Sequence, residues 1–530
     1  MRPLLIILGW MAIWGTDCAA PVTGIPQTDT SRGFVIEDRN RQAVIEDMLA
    51  RGHLLPRFKE WFASPEGKAG AAGSEADPFE LNEALDGKRG ISPGDILWLR
   101  GGTYNGAFTT RMNGTEKRPI HIRQFPGERA LLVKDFAKRD TATLAVRGDH
   151  LWFWDFEVAT SFKDRSRLDP HGKLSPWRGS GINVWGARTK YINMIVRDNG
   201  HGFGLWNEEG GTEIYGCLIF NNGNNKKEHG VYGHNRTGVH TIDANVIFNN
   251  AGYGLHLYAN STKSSVSGFD VAENSVFTNG AIVDVDQVAD QILVGGVDGV
   301  PADRLTIRAN RIFNFPEGST SKNRGIRLGY EHQGNGRASV VDNYIVSRVP
   351  LRLLWWSDLE VVGNTIVSDS RSLDLEYVTE PNGYTFSGNR FVTGNRQSRF
   401  VVNGKKLTPA SWSALGFATD DAVGQTAGVS VFVVPNRYHE GRGTVTIFNP
   451  AGEAKVDVDP AKILRKGERY EVYDAQNVYA PAVHTGVYAG EPIRIAMPRP
   501  EPAQPVGNVE RKPVHTAPHF AVYIICKRAK

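Results

Sequence analysis

Cysteine is scarce in this sequence, which has three cysteines among 530 residues. One of them, Cys18, lies in a predicted leader, so Cys217 and Cys526 are the two that remain. A single possible pair is not the disulfide framework that holds small secreted domains together. We therefore expect core burial and backbone hydrogen bonding to hold the fold.

The sequence also lacks long apolar runs and dense basic runs after its first twenty residues. The apolar run 4–14 follows Arg2 and precedes Cys18, Ala19 and Ala20, a pattern typical of a signal peptide over 1–20. This run is too short to span a membrane, and the net charge is only +4. We expect a secreted protein, extracellular or periplasmic, with no membrane span and no nucleic-acid partner. The alternative for the run is a buried N-terminal strand.

Glycine and aromatic residues are plentiful, with 58 glycines and 10% aromatic residues. They suit a β-rich chain with many tight turns. The chain is longer than a domain with one compact hydrophobic core usually is, so several domains or an elongated repeat are expected.

A repeat is present, in which Asn, any residue and two apolar residues recur at intervals of 21 to 36 residues. The copies begin at Asn193, Cys217 (in place of Asn), Asn245, Asn274, Asn310, Asn343, Asn364 and Asn389.

One repeat unit shows what the motif builds. Residues 239–243, 246–249 and 253–258 form three short apolar segments separated by Asn and Gly turns. Three strands per unit of variable length predict an all-β, right-handed parallel β-helix over 76–400, in which stacked Asn side chains form a ladder. The alternative is a β-sandwich with coincidental Asn turns. We expect a monomer.

Regions outside the repeat have a different character. Residues 21–75 read as an N-terminal segment and linker, and 425–498 contain alternating apolar runs that predict a small antiparallel β-domain. A Pro-rich tail and a final strand occupy 499–530.

The coil series resembles the pectate-lyase-like superfamily of right-handed parallel β-helix proteins. Residues 93–104 and 119–122 are similar to the N-terminal cap and first coil of chondroitinase-B-like and alginate-lyase-like members. The resemblance covers about residues 75–400 and specifies the fold well but the reaction poorly. Gly200-His201-Gly202 matches a polygalacturonase motif, but the carboxylates of that motif are missing, so we interpret His201 as a turn residue.

Strand alternation predicts an outward stripe on the third strand of each coil. Such a stripe is unusual for a solvated face, which would carry Lys, Glu, Thr and Ser. Trp and Tyr rings can stack on sugar rings, and His, Arg and Asn can bind hydroxyls and carboxylates. The predicted catalytic residues are His234, His256, Tyr258, Tyr232 and Arg327. The predicted substrate-binding residues are His229, Asn235, Asn183, Trp185, Trp206, Arg352 and Trp356. The alternative is an aromatic face covered by loops or by the C-terminal domain.

These residue types fit a polysaccharide lyase that acts on a uronate-containing glycan. Arg or Asn neutralises the carboxylate, while His or Tyr serves as base and acid. One alternative is a glycoside hydrolase that uses a carboxylate pair, and another is a non-catalytic glycan-binding protein. Cofactors are unknown: three His are a candidate Zn²⁺ set, and an acidic loop is a candidate Ca²⁺ site. The hydrolase candidates are Asp374 with Glu376 and Asp284 with Asp286, and the loop residues are Asp284, Asp286 and Asp290.

Overall fold

The computed structural model describes residues 39–528, except 167, 174–177, 284–288, 315–323, 332, 378–381, 394–399 and 425–426. The predicted leader lies outside the described residues, as do Asp284 and Asp286. The described chain consists mainly of β-strands with a few short helices. The helices are Arg41–Ala50, Leu81–Leu85 and Pro409–Ser413, and Ala475–Asn477 forms a 3₁₀ turn.

Most strands belong to three long sheets, in which neighbours are parallel apart from one terminal antiparallel pair in the third sheet. The first sheet contains Glu60–Lys68, Ile96–Leu99, Ile120–Gln124, Leu151–Trp154, Lys190–Ile192, Glu213–Tyr215, His240–Asp243, Val266–Ala272, Ala302–Arg308, Asn335–Val341, Trp356–Val362, Tyr384–Ser387 and Ala418–Thr419. The second contains Gly102–Asn105, Ala130–Lys134, Glu157–Thr160, Ile195–Arg197, Leu218–Phe220, Val246–Phe248, Ser275–Phe277, Arg311–Asn314, Tyr344–Ser347, Thr365–Val367, Arg390–Val392 and Ala422–Gly424. The third contains Phe108–Thr110, Leu144–Val146, Ile182–Val184, Phe203–Leu205, Val231–Gly233, Leu255–Ala259, Asp290–Gly296, Arg324–Leu328, Val349–Leu354, Leu373–Glu376, Phe400–Val402 and Lys405–Leu407.

Each coil passes through the three sheets in turn and then rises to the next coil. His240–Asp243, Val246–Phe248 and Leu255–Ala259 form one such coil, as the repeat unit predicts. The side chains of Ile242, Ile247 and Leu257 point inward and are fully buried in one continuous core. The predicted right-handed parallel β-helix is therefore confirmed.

The predicted Asn ladder runs along the turn between the first and second sheets. Asn245 Nδ2 donates to Asn274 Oδ1 at 2.9 Å, and the same bond links successive repeat Asn residues up to Asn389. Each Nδ2 also donates to a backbone carbonyl, as Asn310 does to Val271 at 2.9 Å. Asp421 Oδ1 accepts the last ladder bond from Asn389. The ladder thus satisfies buried polar groups at this turn in the coils from Asn245 to Asn389.

Two details of the ladder differ from the prediction. Asn193 lies one position before the ladder column, because Ile195 pairs with Leu218 and so aligns Met194 with Cys217. A second ladder, which the sequence analysis missed, runs along the turn between the second and third sheets. It consists of Asn199, Asn222, Asn250 and Asn279, and Gln291 completes it.

The C-terminal region forms an antiparallel sheet that packs against the outer face of the second sheet. Phe220, Phe248, Phe277 and Phe313 of the second sheet are buried together with Phe448 and Phe520. The C-terminal sheet consists of Ser430–Pro435, Arg442–Phe448, Phe520–Lys527, Arg469–Asp474 and His484–Val487, with Lys455–Val458 and Ile493–Ala496 as a separate pair. The final strand therefore lies inside this sheet, between Arg442–Phe448 and Arg469–Asp474.

The solenoid is longer than the predicted range 76–400. Glu60–Lys68 pairs with Ile96–Leu99, and the second sheet continues to Ala422–Gly424. Cys217 and Cys526 are buried and form no disulfide. Within the described residues, no helix has the length and apolar character needed to cross a membrane.

Candidate functional site

The outward side chains of the third sheet, here called the third-sheet face, form the candidate site. In Leu255–Ala259 the residues Leu255 and Leu257 are fully buried, whereas His256 and Tyr258 are partly exposed. This alternation is the one that the sequence predicts. The C-terminal sheet covers the second sheet instead, so the predicted alternative, a third-sheet face covered by that domain, is wrong.

Register aligns these outward residues in columns across the coils. Tyr232 pairs with His256, His256 with Leu293, and Leu293 with Arg327. The column continues from Arg327 to Arg352 and then to Asp374. Adjacent strands lie about 4.8 Å apart, so residues of one column on neighbouring coils face the same part of an extended ligand.

The centre of the third-sheet face is a continuous cluster of imidazole and phenol rings. The His229 ring lies 4.4 Å from the His256 ring and 5.0 Å from the Tyr253 ring, centroid to centroid. The His256 ring stacks on Tyr258 at 4.7 Å. His201 stacks on His229 at 5.3 Å and on Tyr232 at 5.2 Å. His201 lies in the bend before Phe203–Leu205, as predicted for a turn residue, and its ring also belongs to this cluster.

Hydrogen bonds centred on His229 hold the imidazoles in place. The backbone N–H of Tyr253 donates to His229 Nδ1 at 3.0 Å, and His229 Nε2 lies 2.9 Å from His256 Nδ1. The backbone N–H of His229 donates to His201 Nδ1 at 3.1 Å. Gly252 leaves room for this arrangement, since a Cβ there would lie 2.3 Å from His229 Nδ1.

Burial sets the protonation of the cluster at neutral pH. It lowers the pKa of His256 to about 3 and that of His201 to about 4, and it holds the pKa of His229 well below its ordinary value. Burial also raises the pKa of Tyr232 and Tyr258 to about 12. At neutral pH the imidazoles are therefore neutral and the phenols protonated.

Trp206 and His234 continue the site toward the N-terminal coils. Trp206 Nε1 donates to Asn183 Oδ1 at 2.8 Å, across Gly204, where a Cβ would collide with both groups. Asn183 is 5% exposed, so this hydrogen bond fixes the indole to a buried amide. His234 Nδ1 lies 2.9 Å from Glu208 Oε1, although the contact is not a well-directed hydrogen bond.

Arginines dominate the face on the C-terminal side of the ring cluster. Arg327 donates to the carbonyls of Gly329 and Tyr330 at 3.1 and 3.0 Å. No carboxylate of a described residue lies within ion-pair distance of Arg327. Arg352, by contrast, lies 3.4 Å from Asp374 and 3.7 Å from Glu376. Arg327 therefore forms no direct ion pair among the described residues, although the nearby carboxylate of Asp290 interacts with it electrostatically.

Two predicted substrate-binding residues do not face outward. Trp356 begins a strand of the first sheet, is 4% exposed, and donates from Nε1 to the Leu328 carbonyl at 3.2 Å. The chain passes from the third sheet to the first at Trp355, and the run Leu353-Leu354-Trp355-Trp356 contains no polar residue that marks this corner. The predicted inward and outward positions were therefore wrong there. Asn235 is fully buried and donates to the Ser267 carbonyl at 2.7 Å, which makes it a turn residue. Trp185 is partly exposed beside Arg147, whose guanidinium lies 4.2 Å from the ring centroid.

Four residues of the site were missed or dismissed by the sequence analysis. Tyr253, Glu208 and His201 lie just outside the strands of the third sheet, where the alternation that identified the other residues ends. Asp290 was assigned to an acidic loop, but it begins a third-sheet strand, is 1% exposed, and lies 3.5 Å from Arg324. Burial raises the pKa of its carboxyl group. In the described part of the chain no three His, Cys, Asp or Glu side chains are grouped to hold a metal ion.

Comparison with known proteins gives matches of low sequence identity among solved structures. No protein-family model and no curated protein matches this chain. Among solved structures, pectate lyase Pel9A is 14% identical with a TM-score of 0.37, over 71% of this chain and 79% of that one. An alginate lyase from Paenibacillus sp. str. FPU-7 is 15% identical with a TM-score of 0.34, over 69% and 98%. A GH136 lacto-N-biosidase from Eubacterium ramulus is 11% identical with a TM-score of 0.38, over 73% and 70%.

Proposed function

We propose that this protein is a secreted lyase that cleaves a uronate-containing polysaccharide by β-elimination on the third-sheet face. The observation that carries the proposal is the juxtaposition of neutral imidazoles and protonated phenols with Arg327. Elimination beside a carboxylate needs these three kinds of group: a cation for the carboxylate, a base for the carbon-bound proton, and an acid for the leaving oxygen.

Arg327 is the group that binds the substrate carboxylate in this proposal. Its side chain is fixed by two backbone carbonyls, and it has no competing ion pair among the described residues. Charge-assisted hydrogen bonds from a guanidinium to a carboxylate are among the stronger polar contacts in proteins. His256 lies two strands from Arg327 in the same column, about 10 Å along the face, and the charge of Arg327 acts on both His256 and Tyr258.

The aromatic residues at the N-terminal side supply the sugar-binding surface. Trp206 is held by Asn183, and its ring lies 5.4 Å from Tyr232. Trp185 follows the neighbouring strand, one coil earlier. Stacked on these rings, neighbouring sugars of a long chain extend away from the reactive centre, as a polymer substrate requires.

The test is incubation with alginate, pectate and glycosaminoglycans, measuring the ultraviolet absorbance of unsaturated products together with new reducing ends. The proposal predicts both signals from at least one acidic glycan. Reducing ends without unsaturated products support a hydrolase instead. Binding without any product supports a non-catalytic glycan-binding protein.

Arg327 variants sharpen this test. Arg327→Ala is expected to lower kcat/KM about 100-fold or more, because the substrate carboxylate loses its counter-charge. The matched control is Arg337→Ala, since Arg337 is highly exposed on the first sheet and pairs with Asp358 at 3.0 Å. Equal activity of both variants would contradict the proposed role of Arg327.

A further inference from the structure

The outward side chains of the third-sheet face change character halfway along the solenoid. From Ile182–Val184 to Leu255–Ala259, those on and just after the strands are uncharged at neutral pH, because burial lowers the pKa of His234 and His256. The strands from Arg324–Leu328 to Leu373–Glu376 carry charged side chains instead. The first set, here called the neutral half, is Asn183, Trp185, Trp206, Tyr232, His234, His256 and Tyr258, and the second, the charged half, is Arg327, Arg352, Asp374 and Glu376.

Trp206 is the centre of a ring surface within the neutral half. Its partly exposed indole lies 5.4 Å from the Tyr232 ring and 5.8 Å from the His234 ring, centroid to centroid. The hydrogen bond from its Nε1 to Asn183 fixes the indole. Aromatic rings with neutral polar groups at their edges suit stacking on a sugar. We call these four residues the Trp206 subsite.

A carboxylate borders the Trp206 subsite, and the cation closest to it is already paired. Glu208 Oε1 lies 2.9 Å from His234 Nδ1, and the negative charge of Glu208 acts on that imidazole. Arg236 lies 3.8 Å from Glu208 Oε2 and also donates to the carbonyl of Lys263. A uronate stacked on Trp206 would therefore meet a negative charge and would compete with Glu208 for Arg236.

The cations on either side of the Trp206 subsite lie further along the face. Arg147 is two strands from Trp206 in the same column, about 10 Å away, and its guanidinium lies over Trp185. On the other side, Arg327 is three strands beyond Tyr232 in the neighbouring column. The carboxylate that Arg327 binds in the proposed function thus belongs to a different sugar from the one on Trp206.

We propose that the Trp206 subsite binds an uncharged sugar and that Glu208 excludes a uronate from it. The substrate is then a mixed glycan, in which one chain contains both uronates and uncharged sugars, rather than a polymer of uronates alone. A second carboxylate beside Glu208 would suffer repulsion and desolvation that the paired Arg236 does not offset. The inference rests on the proposed function, since it takes the third-sheet face as the surface that binds the glycan.

The first test measures binding by the wild-type protein and does not depend on cleavage. A glycan array carries oligomers of equal length and of two kinds. Oligogalacturonate and oligoalginate consist of uronates throughout, whereas hyaluronan, heparosan and unsulfated chondroitin alternate uronates with uncharged N-acetylhexosamines. Measured on ice, the tightest-bound mixed oligomer is expected to have a Kd at least about tenfold below that of either polyuronate. A polyuronate that binds at least as tightly, or no binding of either kind, would overturn the inference.

The second test removes the charge of Glu208 and keeps its size. In Glu208→Gln we expect the Kd for polyuronate oligomers to fall about tenfold, while the Kd for mixed oligomers stays within about twofold of wild type. Glu209→Gln is the matched control and is expected to change neither value, because Glu209 is largely exposed and lies 3.9 Å from Arg188. An equal effect of both variants, or unchanged polyuronate binding in Glu208→Gln, would contradict the role of Glu208.

Salt separates exclusion by charge from exclusion by shape. Glu208 keeps 30% of its side chain exposed, so added salt is expected to screen the repulsion. The difference between the two kinds of oligomer should therefore narrow in the wild type but not in Glu208→Gln. Wild-type selectivity that salt leaves unchanged would contradict an electrostatic role. The lyase proposal fails separately, if no glycan yields an unsaturated product, while the array still decides which sugars the face binds.

Discussion

Two outer faces of the same solenoid carry aromatic columns, and one column is buried while the other stays partly exposed. On the second sheet the column is purely apolar: Phe220 stacks on Phe248 at 4.9 Å, and Phe248 on Phe277 at 5.1 Å. The C-terminal sheet buries this column completely. On the third sheet the rings of Tyr232 and His256 carry polar atoms and stay partly exposed.

On the same strand geometry, side-chain chemistry thus separates an aromatic column that packs against another sheet from one that stays partly exposed. Phenylalanine offers only apolar surface, so an exposed column of phenylalanines favours packing against another apolar surface. Tyrosine, tryptophan and histidine combine a ring face with a donor or acceptor, which suits contact with sugars and water alike. The predictions below test whether the two faces can be altered independently.

The largest expected effect is on stability, from Phe248→Ala on the second sheet. Phe248 is fully buried between two stacked rings and the C-terminal sheet. Its loss is expected to lower the free energy of unfolding by about 3–5 kcal/mol, because the cavity cannot fully collapse. Chemical denaturation measures this change, with the exposed Phe136→Ala as the control. An equal loss in both variants would contradict the buried packing of this face.

A smaller loss is expected from breaking the Asn ladder. Asn310→Ala removes the side chain that accepts from Asn274 and donates to Val271 and Asn343. The unpaired polar groups are expected to cost about 1–3 kcal/mol of unfolding free energy. The comparison variant is Asn260→Ala, since Asn260 is exposed on a turn. No difference between the two variants would show that the ladder contributes nothing net to stability.

A change confined to the third-sheet face is expected to affect binding rather than folding. Trp206→Ala is expected to raise KM about tenfold with a small change in kcat, because in the proposed function its ring stacks on sugars away from the reactive centre. Trp206→Phe keeps a ring and is expected to restore most of the affinity. Loss of kcat with KM unchanged would place Trp206 in the chemistry instead.

The smallest expected effect is on the pH profile. Burial lowers the pKa of His256 to about 3, and the ionisable groups of His201 and Arg327 lower it further. The proposed function uses neutral imidazoles, so activity should persist below the ordinary histidine pKa of about 6.5 and fall only at more acidic pH. The dependence of kcat/KM on pH measures this acidic loss of activity. A midpoint above that value would contradict the assigned environment.

The fold was predictable because each coil repeats the same turn requirement, which leaves Asn at matched positions such as Asn274 and Asn310. Strand alternation likewise placed Tyr232, His256 and Arg327 on one face. Corners were not predictable: Trp356 follows Trp355 where the chain passes between sheets, and there the two-residue period gives no register. The partner of His234 was also hidden, because Glu208 lies in a turn one coil away.

The central claim is that the third-sheet face binds and cleaves an acidic glycan without holding the fold together. The rate at which Arg327→Ala forms unsaturated product from the cleaved glycan, measured beside its thermal midpoint, tests that claim most directly. We predict a loss of about 100-fold or more in kcat/KM with a thermal midpoint close to that of the wild type, since Arg327 is partly exposed and contributes little packing. Wild-type kcat/KM in Arg327→Ala would contradict it.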